Sequence, residues 1–92
     1  LRTMKTWFES IDSTGVLVEG VTCRAIDKAL IVTVTNEWHR QPYQERLQVA
    51  QIIEKKWKSV TGSAVGIFHL NDRLGNEVGG RGFTGVWVQE SK

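Results

Sequence analysis

Glutamate, tryptophan, histidine and arginine meet in the run Glu37-Trp38-His39-Arg40. On an extended backbone Glu37 and His39, two positions apart, project to one side, and a carboxylate beside an imidazole orients it for acid–base work. Neither a nucleophile nor a second histidine stands nearby in the sequence. The plainer account is a junction in which Trp38 anchors the core and His39 and Arg40 are solvated. No residue is therefore assigned as catalytic.

Metal chemistry is less well supported. Cys23, His39 and His69 lie in three separate segments, and no pair has a ligand spacing such as Cys-x-x-Cys or His-x-x-x-His. Neither a metal nor a cofactor is expected. One cysteine makes no internal disulfide, and Cys23 inside a β-branched run reads as a small buried hydrophobe with an inert thiol. A pairing of the two strand-like runs opposes Cys23 to residues near Val32, away from His39, so a Cys–His catalytic pair is rejected.

The run Gly79-Gly80-Arg81-Gly82 lacks the Gly-Lys-Ser/Thr ending and the following helix of a phosphate loop, and is expected to be a mobile connector. Arg81-Gly82-Phe83 with Val86 resembles the start of an RNA-recognition strand, but Thr84 and Gly85 break the pattern and no helix follows. What survives is the alternation of Phe83 and Trp87 against Val86 and Val88. If the valines face the helices, the two rings lie on the other sheet face. Phe83 and Trp87, with Arg81, Arg73, Trp38, His39 and Arg40, are the candidate binding residues.

The elements that must position them follow from periodicity. Leu1, Met4, Trp7, Phe8 and Ile11 recur at helical spacing and predict an amphipathic helix over 1–11, ended at Asp12-Ser13-Thr14-Gly15. Residues 16–26 are rich in Val, Thr and Leu and read as a strand, with Gly20 a candidate bulge. Asp27-Lys28 is a tight turn into the strand Leu30–Thr35, and the two strands form an antiparallel hairpin. Pro42 opens a helix whose Tyr43, Leu47, Ala50, Ile53, Trp57 and Val60 share a face. Lys55, Lys56 and Lys58 suit its C-terminal dipole, and Gly62 stops it. A third strand over 64–70, a turn at 71–76, a connector or distorted strand over 77–82, and a strand over 83–89 complete the chain. The fold class is α+β: a two-layer sandwich in α-β-β-α-β-β order, with a mostly antiparallel four-stranded sheet and both helices on one face.

Ninety-two residues hold one domain, 1–92, which we expect to be excised from a longer protein because it opens directly on a helical pattern. A net charge of +2 is too small to imply a polyanion partner. The longest apolar run, Ala29-Leu30-Ile31-Val32, is far too short to span a bilayer, and no signal peptide is seen. The compartment is open: cytoplasmic by default, or the soluble part of a membrane-anchored protein. The leading expectation is a non-catalytic interaction or accessory domain of a larger protein. It would dock a protein partner or the rest of its parent chain through the open sheet face or the Gly-rich end, with self-association as a variant. The alternatives are a small-ligand or single-stranded nucleic-acid binder on that face, and an enzyme acting through Glu37, His39 and Arg40.

Overall fold

A computed structural model of the chain describes residues 2–12, 14–63 and 66–90. The expected helical start at Leu1 and the strand start at Ala64-Val65 lie outside the described residues. The first helix, α1 (Arg2–Ile11), buries Met4 and Phe8 one turn apart. Asp12 then organises the exit: its carboxylate accepts the N–H groups of Val16, Leu17 and Val18 at 2.9–3.0 Å. Three consecutive amides on one acceptor turn the backbone into β1 (Val18–Cys23).

The hairpin forms as expected. β1 pairs antiparallel with β2 (Leu30–Val34), Val21 opposite Val32 and Cys23 opposite Leu30, with a bulge between Val18 and Gly20. In β2, Leu30, Val32 and Val34 are buried while Ile31 and Thr33 are half-buried, the period-two signature of a sheet covered on one side. Cys23, however, is exposed rather than a core thiol. It is the last residue of an edge strand, which has a neighbour on one side only.

Two features of the connection after β2 differ from expectation. Residues Asn36–Arg40 form a short helix, α2, rather than an extended junction. The long helix α3 (Tyr43–Thr61) then carries the chain back, so that β3 (Phe68–Asn71) lies parallel to β2, Leu30 opposite Phe68 and Val32 opposite Leu70. A helical crossover is what a parallel neighbour requires. The sheet is consequently mixed.

It also has five strands rather than four. β4 (Glu77–Gly82) is a regular strand between β3 and β5 (Gly85–Val88), antiparallel to both. Its glycines answer to crowding instead of mobility. A Cβ on Gly79 would stand 2.9 Å from Leu70 Cδ1, and one on Gly80, where φ is +139°, would strike the Phe68 carbonyl oxygen. Phe83 and Thr84 form the β4–β5 turn rather than the start of a strand.

The strands lie side by side in chain order. One core joins Met4 and Phe8 of α1, Trp38 of α2, and Ala50, Ile53 and Trp57 of α3 to Val21, Leu30, Val32, Phe68, Leu70 and Val88 of the sheet. Leu47, expected in the buried stripe of α3, is only partly covered, and Arg46 is buried instead. Arg46 fastens the chain end to the helix. Its guanidinium donates to the carbonyls of Gln41 (3.0 Å), Gln89 (2.5 Å) and Glu90 (3.2 Å).

Candidate functional site

Register places side chains in rows across the sheet. Cys23, Leu30 and Phe68 are paired in sequence across β1, β2 and β3 and belong to the covered side. The next row presents Thr22, Ile31, His69, Gly80 and Trp87, one from each strand, to the opposite face. Thr33 and Asn71 pair in a further row on this face. Val88 is buried and Val86 packs against the core, so Trp87 points away from the helices with 37% of its surface exposed. The missing side chain of Gly82 makes room for it: a Cβ there would lie 3.1 Å from Trp87 Cδ1 and 3.4 Å from its Nε1. The indole thus leans along the sheet toward the β4–β5 turn, where Phe83 is fully exposed.

Beside this apolar zone sits a polar one. His69 Nδ1 meets Glu77 Oε2, and His69 Nε2 lies 3.3 Å from Arg24 Nη2. Arg24 also holds Asp27 through two hydrogen bonds of 3.0 and 2.6 Å. That arginine, together with the Ala29 amide, lowers the Asp27 pKa to about 2, and the hydrogen bond to Asp27 raises Arg24 above its ordinary value. Each charge here already has a partner, and the cluster has the form of a surface network that fixes the β1–β2 turn. Among the described residues no group of three His, Cys, Asp or Glu side chains could hold a metal ion.

The sequence candidates are not assembled into one site. Trp87 and Phe83 are neighbours at the glycine-rich end. Arg81 pairs in β4 with Val86 on the covered side and ion-pairs with Glu54 of α3. Arg73, in the β3–β4 turn, is held 2.7 Å from Glu19. Trp38 is fully buried, its Nε1 without a hydrogen-bond partner among the described residues. Arg40 binds Glu37 at 3.0 Å on the surface. His39 is half-buried near Asp72, whose carboxyl is lowered chiefly by the Asn76 amide and in part by the His39 charge. Because α2 is helical, Glu37 and His39 point to different sides, and the arrangement expected of a carboxylate-oriented imidazole is not formed.

Sequence reasoning weighed His69 only as a metal ligand and did not single out Ile26, Ile31, Ile67 or Glu77. Ile67, His69 and Asn71 alternate with Phe68 and Leu70, a signal that could have placed them together. Ile26 stands alone in a turn, and only the register shows what lies beside it. Against known protein families, curated proteins and solved structures, the chain finds no match.

Proposed function

We propose that this domain is a non-catalytic binding module that docks through its glycine-rich end and the adjoining open sheet face. The observation that carries the reading is the position of Trp87 and Phe83. A five-stranded sheet covered by helices on one side leaves the other side bare, and large rings stand on that bare side and at its rim. Large apolar side chains left exposed at one end of a sheet mark docking surfaces. Against an enzyme stands the dispersal of the titratable side chains. Glu37 and Arg40 satisfy each other, and His39 follows the opposite end of β2 from Cys23.

Hydroxyl-radical footprinting in intact cells, compared with the purified chain, tests the reading without knowledge of the occupant. Phe83 and Trp87 are expected to be protected in the cell, while Leu74 in the β3–β4 turn oxidises equally in both. Equal oxidation of all three removes the docking surface.

A further inference from the structure

The occupant of this surface can be inferred from what the fold gathers at one end of the sheet. Beyond the row of Cys23, Leu30 and Phe68 come Arg24, Ala29, Ile67, Gly82 and Gly85, followed by the two hairpin turns. The β1–β2 turn carries Ile26, 89% exposed, and the β4–β5 turn carries Phe83, fully exposed. The two tips therefore project from the same end, separated by about three strand spacings, or roughly 14 Å. Ile67 and Trp87 stand just behind them on the open face, both partly exposed.

Charge at this end is one-sided. Lys28 belongs to the β1–β2 turn, and Lys58 packs beside Gly66, which leads into β3. Lys55 lies one turn earlier on α3, next to Glu54. Among the described residues none of these three lysines is ion-paired, whereas the carboxylates nearby, Asp27, Glu54 and Glu77, meet Arg24, Arg81 and His69. At the opposite end the balance reverses. At this end, where Leu74 is exposed, Asp12, Glu19, Glu37, Glu45 and Asp72 outnumber Arg40, Arg46 and Arg73.

We propose that the glycine-rich end docks on an anionic lipid surface, with Ile26 and Phe83 entering the acyl boundary, Trp87 at headgroup level, and Lys28, Lys55 and Lys58 facing lipid phosphates. This inference rests on the binding-module reading and names its partner. Side chains on separate turn tips, projecting without neighbours, fit a fluid phase that closes around each one; a protein interface instead packs its anchors into pockets. An indole behind apolar tips occupies the place that tryptophan takes at membrane–water interfaces. Free lysines beside the apolar tips add attraction to anionic headgroups. Docking of this kind needs no spanning segment, and among the described residues no helix is long and apolar enough to cross a membrane.

Co-sedimentation of the 92-residue chain with phosphatidylcholine vesicles, and with mixed phosphatidylcholine–phosphatidylserine vesicles, tests the assignment. Binding is expected to the mixed vesicles and to weaken as salt rises. Ile26→Ser with Phe83→Ser should lower the partition coefficient about tenfold or more. Replacing Lys28, Lys55 and Lys58 by Gln should lower it on the order of 100-fold at low salt. Leu74→Ser should leave it unchanged. All these positions are on the surface, and circular dichroism confirms that each variant is folded. Equal binding to neutral vesicles, an equal loss from Leu74→Ser, or tighter salt-sensitive binding to single-stranded RNA overturns the lipid assignment. If vesicles are not bound but Phe83 and Trp87 remain protected in cells, the occupant is a protein and only the lipid assignment falls. If both signals are missing, the binding-module reading falls with it.

Discussion

Trp57 and Trp87 are the same residue on opposite sides of one sheet, and they do different things. Trp57, on α3, is 6% exposed and closes the core between helix and strands. Trp87, on β5, is 37% exposed and lies over the bare backbone of Gly82. The covered face is built for stability: its apolar side chains interlock, and each of the three nitrogens of its buried cation Arg46 donates a hydrogen bond. The open face carries Thr22, Thr33, His69 and Asn71, side chains at ease in water, together with Ile31, Ile67 and Trp87, which are only partly covered. Burial thus separates the residues that hold the domain together from those available for a partner.

The contrast is sharpest in stability. Trp57→Ala should cost about 3–5 kcal/mol in chemical denaturation, as large core truncations do, whereas Trp87→Ala should cost roughly 1 kcal/mol. Similar losses from both would mean that the two faces are not different in kind. Arg46→Ala should cost about 2–3 kcal/mol, because three charge-assisted hydrogen bonds vanish and the C-terminal strand end loses its tie to α3. A loss below that of Trp87→Ala would show that the tie is idle in solution.

Trp38→Phe sharpens the account of the covered face. The ring is smaller, but the substitution also removes a buried Nε1–H that has no partner among the described residues. The lost packing and the relieved donor oppose each other, so the net change should stay within about 1 kcal/mol. The smallest effect belongs to the turn at the glycine-rich end. Asp27 has its pKa lowered from an ordinary 3.8 to about 2 by Arg24 and the Ala29 amide. A lowered carboxylate contributes stability above its unfolded pKa and loses it as pH falls toward the folded value. The denaturation midpoint should therefore drop between about pH 4 and pH 2, and Arg24→Gln should flatten that step.

The sequence made the α+β class, the hairpin and the long helix legible, because each rests on local periodicity: Val32-Thr33-Val34-Thr35 for β2, and Tyr43 through Val60 for α3. It did not reveal the parallel return of β3, since nothing local in residues 66–71 distinguishes a parallel from an antiparallel neighbour. β4 was obscured by its own composition. Gly79, Gly80 and Gly82 have low strand preference, and the crowding that demands them comes from Leu70, Val88 and Phe68 in other elements. The Glu37–His39 pair failed because α2 is helical, a matter of a few residues between two stronger elements. For the surface site, Phe83 and Trp87 were visible as an alternation, but Ile26 and Lys28 join them only through the register of the whole sheet.

The separation of folding from docking is tested most directly in one variant, Ile26→Ser with Phe83→Ser, followed by denaturation and by in-cell footprinting of Trp87. The account predicts a stability within about 0.5 kcal/mol of the parent chain, as for surface positions generally, together with loss of the protection of Trp87. A stability loss well beyond that range, or protection of Trp87 that persists unchanged, would contradict it.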